Sequence, residues 1–137
     1  MNTPFLDQVY DQVNFDRKLV FKFFTIFSLF EHALKKVGFT RASRNGYDIQ
    51  PDWDRFARAI EENFDPSATA ELQNAVDYML AKPVMRQVQI QEQLEFFPRE
   101  RPEIQSETVW LSVLIRGVRN NLFHGAKFSY DPDRDSK

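Results

Sequence analysis

The sequence predicts an all-α fold in a single domain. Its 137 residues are enough for one hydrophobic core. Apolar residues make up 42% of the chain and recur mostly at helical spacing. Glycine is scarce, with 4 copies, whereas phenylalanine is heavily used, with 14. We therefore expect packed helices rather than sheets.

The first long helix is expected to be capped by Asn14 or Asp16, to run to about Val37 and to be ended by Gly38. One apolar seam recurs along it in steps of three and four: Val20, Phe23, Phe27, Phe30, Leu34 and Val37. Two more phenylalanines lie off this seam: Phe21 and Phe24. A helix that is apolar on two sides is either central in a bundle or shared between subunits.

Two shorter helices are predicted after a loop at residues 40–51. Asp52 lies near the start of the second helix, and Asp65-Pro66 ends it. Its apolar positions are Trp53, Phe56, Ala57, Ile60 and Phe64. Ser67 is expected to cap the third helix, which ends before Pro83. Its apolar positions are Leu72, Ala75, Val76, Met79 and Leu80.

Residues 84–105 do not show a helical pattern. Residues 87–91 alternate polar and apolar side chains, as a strand does. Phe96-Phe97-Pro98 and Pro102 favour irregular chain instead. We expect a long irregular loop before the last helix, with a short hairpin in it or a short helix as the alternative. A loop of this length in a small domain is usually functional or mobile.

The last helix is predicted at about residues 106–123. Its buried stripe consists of Leu111, Leu114, Ile115, Val118 and Leu122. A second face follows at steps of three and four: Val109, Val113, Arg116, Asn120 and His124. The tail at residues 129–137 is polar.

Composition excludes several classes of function. The net charge of −2 does not suit a chain that binds nucleic acid over its whole surface. The chain has no cysteine, which excludes disulfides and thiol chemistry and fits a reducing cytoplasm. The apolar run at residues 19–30 is too short to span a bilayer, and no signal peptide is evident. We therefore expect a cytoplasmic protein with no membrane partner.

Charge is unevenly distributed around the end of the last helix. Residues 108–130 contain no Asp or Glu, but they include Arg116, Arg119 and Lys127. A buried helix would also lack acids; the alternative interpretation is a local anion site. The two histidines, His32 and His124, form no metal-binding motif, so we expect no metal and no cofactor.

The segment from Arg119 to His124 can be interpreted in two ways. Basic residues near a helix C-terminus, followed by Gly125, favourably meet the helix dipole. The same residue types also suit metal-free RNA cleavage through the 2′-hydroxyl. In that case His124 moves protons, Arg119 stabilises phosphate charge and Asn120 positions the imidazole or the phosphate. Arg119 and His124 are five residues apart, about 140° around a helix, so a second copy of the site would help to complete it.

The sequence Arg119-Asn120-Asn121-Leu122-Phe123-His124 resembles the Rx4-6H motif of the HEPN superfamily, the higher eukaryote and prokaryote nucleotide-binding domains. The flanking residues 125–128 are similar to those of small bacterial and plasmid-encoded HEPN proteins with an RNNLFHGGK-like segment. The strong match covers about a dozen residues. Only nine residues follow Phe128, whereas the superfamily often has another helix there.

The resemblance implies a bundle of four to five helices that forms a homodimer, with paired motifs at the interface. It also implies a metal-independent endoribonuclease that acts as a toxin, in phage defence or in RNA processing. An antitoxin or a nucleotidyltransferase is a partner that such a role would involve. The implied catalytic residues are Arg119 and His124, supported by Asn120, and RNA is the expected substrate. The candidate substrate-binding residues are Arg116, Asn121 and Lys127.

Glu31 and the two loop arginines have two interpretations each. Glu31 either pairs with Lys35 one turn on, which we favour, or supports the site by orienting His124 or an arginine. Arg99 and Arg101 either contact RNA phosphates or, as we favour, lie in a solvated loop. The tryptophans are expected in the core. The alternative functions are a HEPN domain that binds RNA, nucleotide or a protein without cleaving, and a structural helical adaptor.

Overall fold

The computed structural model describes residues 16–41 and 46–123. Four helices and one antiparallel hairpin make up the described fold. In chain order they are α1 (Arg17–Lys36), α2 (Trp53–Ile60), α3 (Ala70–Ala81), β1 (Arg86–Ile90), β2 (Gln93–Phe97) and α4 (Glu107–Phe123). The fold is therefore mixed, 55% helical and 12% strand, and the prediction of an all-α HEPN-like bundle is wrong.

The hairpin is the element that overturns the all-α prediction. The strands pair in register from Arg86 opposite Phe97 to Ile90 opposite Gln93. Only Gln91 and Glu92 join them, and both have positive φ, 49° and 65°. This geometry suits a two-residue hairpin turn, for which glycine and asparagine are the usual sequence signals. Neither is present, so the position of the turn was not recognisable, although the strand pattern at residues 87–91 and the short hairpin expected within the loop are confirmed.

Helix α1 begins and ends as expected. The Asp16 carboxylate accepts from the amides of Lys18 and Leu19, at 2.9 and 3.3 Å. Gly38 follows the helix with φ +93°, a conformation that glycine adopts without strain. Asn14, the alternative cap, lies outside the described residues.

The predicted seam of α1 faces the core over most of its length. Phe27 and Leu34 are buried together with Trp53 of α2. Phe23 and Phe30 are partly buried against them. The rings of Phe27 and Trp53 stack with centroids 5.2 Å apart. These rings thus join α1 to α2. The end of the seam differs, because Val37 is exposed.

Asp52 lies at the start of α2 as predicted, whereas the predicted cap of α3, Ser67, is wrong. Asp52 caps α2 as expected, accepting from the amide of Arg55 at 3.0 Å. Ser67 does not cap α3: its amide and hydroxyl donate to Asp65 instead. Thr69 is the cap, and its hydroxyl accepts from the amide of Leu72 at 3.0 Å. Both residue types cap helices, so composition alone does not choose between them.

Helix α4 is the central element of the fold and contacts α2, α3 and β1. Ser106 caps it, its hydroxyl accepting from the amide of Val109 at 3.2 Å. Leu111 and Leu114 of the predicted stripe are buried, and so are Val109 and Trp110 on other sides. A helix enclosed on several sides has little room for charge, so its arginines must lie along the remaining face.

Much of α1 that faces away from this core is apolar. Three of its exposed residues fall within about 80° of one another around an ideal helix: Leu19, Ile26 and Leu29. Phe21, which was predicted to extend the apolar surface, is also exposed.

No helix in the described part of the chain is long and apolar enough to cross a membrane.

Candidate functional site

The two arginines of α4 lie against the aromatic pair that joins α1 and α2. The Arg119 guanidinium carbon is 5.3 Å from the centre of the Phe27 ring. That of Arg116 is 6.0 Å from the Trp53 ring. Because Phe27 and Trp53 stack on each other, they place both guanidinium groups over neighbouring rings. The arginines are thus held by packing as well as by charge.

Arg116 is half-buried, and its Nε donates to the Ser112 carbonyl at 3.1 Å. Burial lowers its pKa, and the nearby Arg41 lowers it further. Glu31 and Asp52 raise the same pKa, while Arg119 lowers it again. Two guanidinium groups and two carboxylates thus surround Arg116 and cancel in charge, so the group of five keeps one positive charge. Such an excess in a partly dry setting favours an anion.

Arg119 is also half-buried. Its Nε atom has no contact with solvent and no hydrogen-bond acceptor among the described residues. A buried donor without an acceptor is unfavourable by about 1–3 kcal/mol. Arg99 Nε is in the same state, so a buried nitrogen without an acceptor does not by itself identify a phosphate-binding arginine.

Glu31 lies in this group and does not pair with Lys35. Its Oε2 accepts a hydrogen bond from Trp53 Nε1 at 2.7 Å. The same carboxylate acts electrostatically on Arg116. The interpretation favoured from the sequence, an ion pair with Lys35, is absent among the described residues. Glu31 instead lies where the other interpretation put it, beside an arginine of the site.

Arg41 is a member of the group that the sequence did not single out. An antiparallel bridge between Thr40 and Pro51 closes the loop that carries it. Its amide donates to the Gln50 carbonyl at 3.0 Å. This loop returns the chain from α1 to α2 and so brings Arg41 towards α4. No local pattern in the sequence indicates that proximity.

The two asparagines of the motif differ in surroundings. Asn120 is half-buried on α4. Asn121 is buried, and its Nδ2 donates to the Met85 carbonyl at 2.8 Å. That bond fastens the chain before β1 to the end of α4. The Asn121 amide group, expected to bind substrate, thus has an intramolecular partner.

Arg99 is packed against α4 rather than solvated. A Cβ added to Gly117 would lie 3.2 Å from both Nε and Nη2 of Arg99 and 2.8 Å from Cγ1 of Val84. Burial lowers the pKa of Arg99, as does Arg86. Gly117 in the middle of a helix was the available signal, since it permits close approach. Gly117 and Arg119 are about 200° apart on an ideal helix, so Arg99 lies on another side of α4.

The remaining predicted site residues cannot be placed. His124 and Lys127 lie outside the described residues, as do Gly125, Ala126 and Phe128. Of the predicted site residues, the described structure thus brings together Arg116, Arg119 and Glu31. No group of three or more potential metal ligands occurs in the described ranges.

Comparison of the chain with protein-family models, with curated proteins and with solved structures finds no match.

Proposed function

We propose that this protein is a metal-independent endoribonuclease of the HEPN type. The Arg119 guanidinium carries the proposal, because it is held over the Phe27 ring with its Nε buried and unpaired among the described residues. It stands at the start of the segment that resembles the Rx4-6H motif. The one positive charge that remains on Arg116 and its four charged neighbours together supports an anionic substrate such as RNA.

The proposed reaction uses the RNA's own 2′-hydroxyl as nucleophile. A base removes the hydroxyl proton, the oxygen bonds to the adjacent phosphorus, and the bond from phosphorus to the 5′-oxygen breaks. The leaving oxygen takes a proton, which gives a 2′,3′-cyclic phosphate and a 5′-hydroxyl. His124 is assigned the proton transfers, and Arg119 the charge on the phosphate oxygens. Asn120 is assigned to positioning either the His124 imidazole or the phosphate.

Glu31 and Arg116 are assigned supporting roles. Glu31 fixes the Trp53 indole and supplies a negative charge near Arg116. Arg116 binds RNA phosphate outside the scissile position, with Lys127. Asn121 is assigned to structure rather than to substrate, because it donates to Met85.

A homodimer is part of the proposal. The exposed apolar side chains of Leu19, Ile26 and Leu29 on α1 support it, since a patch of this kind marks an interaction surface. Sedimentation of the full chain tests it: we expect a dimer, and Leu29→Glu is expected to give a monomer. A biological role as toxin, phage-defence factor or RNA-processing factor, with an antitoxin or nucleotidyltransferase partner, rests on the resemblance.

Cleavage of a labelled RNA by the full chain in EDTA tests the activity. We expect cyclic-phosphate products, and a loss of roughly 10²–10⁴-fold in His124→Ala and Arg119→Ala. Arg58→Ala is the matched control, because Arg58 is exposed on α2 and pairs with Asp54. Cleavage that persists unchanged in His124→Ala contradicts the proposal. Binding of RNA without cleavage selects the non-catalytic alternative.

A further inference from the structure

A large apolar cavity lies between the four helices. Its volume is about 490 Å³. Aromatic rings form much of its wall, and α3 and α4 contribute the rest. Its lining includes Phe23, Phe30, Phe56, Phe64, Met79 and Ile115. The space is partly open to solvent, since Ile26 and Ala75 of its lining are exposed. It falls within the roughly 300–1,000 Å³ of small-molecule pockets.

The lining determines what the cavity can bind. Among the described residues it contains no charged side chain. Two hydroxyl residues line it, Thr108 and Ser112, and the Ser112 hydroxyl already donates to the Val109 carbonyl at 2.6 Å. The Trp53 indole N–H, a further polar group, donates to Glu31. A charged group buried here would lose its hydration without gaining a partner, so the fitting ligand is apolar.

Size separates a small molecule from a docked helix. One turn of helix, with a pitch of 5.4 Å and a diameter of about 10 Å, occupies roughly 420 Å³. A docked helix spans several such turns, so a pocket of this volume would hold only part of it. A compact aliphatic or planar aromatic molecule suits a pocket of this size.

We propose that this cavity binds an uncharged apolar small molecule, aliphatic or aromatic. The cavity borders the rings of Phe27 and Trp53 but neither Arg116 nor Arg119. The site is thus distinct from the arginine group, and the inference does not depend on ribonuclease activity.

Binding of the uncharged fluorophore N-phenyl-1-naphthylamine to the full chain tests the proposal. We expect saturable binding of one molecule per chain, and displacement by 1-decanol. Sodium decanoate has the same chain length with a carboxylate, and it is expected to compete at least tenfold less well. Absence of saturable binding overturns the proposal, and equal competition by decanoate overturns its claim that the ligand is uncharged.

Two substitutions locate the site. Ala75 lines the cavity and is exposed at its edge, so Ala75→Phe should fill space without disturbing the core. We expect it to weaken binding at least tenfold. Ala81→Phe is the matched control, because Ala81 is exposed on the same helix and is not part of the lining. Equal affinity of Ala75→Phe and Ala81→Phe overturns the assignment. Ala57→Leu, checked for folding by circular dichroism, repeats the test from the buried wall.

Discussion

The indole Nε1 of Trp53 donates a 2.7 Å hydrogen bond to the Glu31 carboxylate. This bond joins the middle of α1 to the first residue of α2, across 22 positions of the chain. Trp53 is 94% buried, so its N–H has little access to water and depends on this acceptor. The ring that carries Arg116 is therefore oriented by a carboxylate that also acts on Arg116 electrostatically.

Replacing Glu31 separates the hydrogen bond from the charge. Glu31→Leu leaves the Trp53 N–H without an acceptor, and we expect unfolding free energy to fall by about 1–3 kcal/mol. Glu31→Gln retains an acceptor oxygen and is expected to lose less than Glu31→Leu. Urea unfolding followed by circular dichroism measures both. Equal losses in the two variants would show that the hydrogen bond contributes nothing beyond charge.

Gly117→Ala is expected to destabilise the fold although alanine is the better helix former. Helix propensity alone predicts a gain of about 1 kcal/mol. However, the new methyl group would lie 2.8 Å from Val84 Cγ1, and overpacking of this kind costs about 1–3 kcal/mol. Thermal unfolding gives the net effect. Val84→Ala in the same chain should relieve the clash. The double variant should therefore be more stable than the summed stability changes of the two single variants predict, and a result that equals this sum would contradict the account.

Helical elements were predictable because their signals are local. Asp16, Asp52 and Gly38 mark boundaries that depend on a few neighbouring residues; Asp16 was one of two expected caps, Asp52 was expected near its helix start, and Gly38 follows α1 as expected. The hairpin was expected only as one option within an irregular loop, because its turn uses Gln91 and Glu92 in place of the usual turn residues. In that case, pairing across the strands determines the backbone conformation against local preference.

In the candidate site, too, only the features that depend on local sequence were predictable. Arg116 and Arg119 were identified from their position on one helix, which sequence spacing defines. Their surroundings come from other elements: Glu31 from α1 and Arg41 from the following loop. Such proximity arises from tertiary packing and leaves no periodic trace in the sequence. Asn121 was predicted to bind substrate because it lies in the motif, but its side chain donates to the Met85 carbonyl within the protein.

Asn121→Ala is expected to loosen the hairpin. Its side chain donates to the Met85 carbonyl just before β1, and removing a buried donor costs about 1–3 kcal/mol. Amide hydrogen exchange of residues 86–97 should quicken, while exchange within α1 changes less. Asn120→Ala is the neighbouring control, since no such bond to the hairpin involves Asn120 in the described residues. Unchanged hairpin exchange in Asn121→Ala would show that the Met85 contact is dispensable.

Asp65 gives a prediction about acid titration. The Ser67 hydroxyl lowers the pKa of the Asp65 carboxyl, and the Ser67 amide lowers it further. A depressed pKa means that this interaction contributes stability above the carboxyl's ordinary pKa and loses it as pH falls through the folded value. Ser67→Ala removes the larger cause, so the pKa should rise towards its ordinary value of 3.8. Carbon-detected NMR titration measures it, and an unchanged pKa would assign the effect to the amide alone.

Phe27→Leu tests whether the aromatic pair positions Arg119. Leucine keeps the position apolar but removes the ring that lies 5.3 Å from the Arg119 guanidinium. Cation–π contacts of this kind contribute about 0.5–2 kcal/mol, so RNA affinity and cleavage should fall several-fold or more. Phe21→Leu makes the same chemical change at an exposed position of the same helix and is expected to leave both unchanged. Because Phe27 is a core residue, unfolding free energy is measured in parallel, and activity is compared under conditions where both variants are fully folded.

Full activity in folded Phe27→Leu would show that Arg119 needs no ring beneath it. Arg119→Lys in the otherwise unchanged chain keeps the positive charge but removes the guanidinium group. If it lowers activity as much as Phe27→Leu does, the effect lies in the geometry of the guanidinium group rather than in its charge.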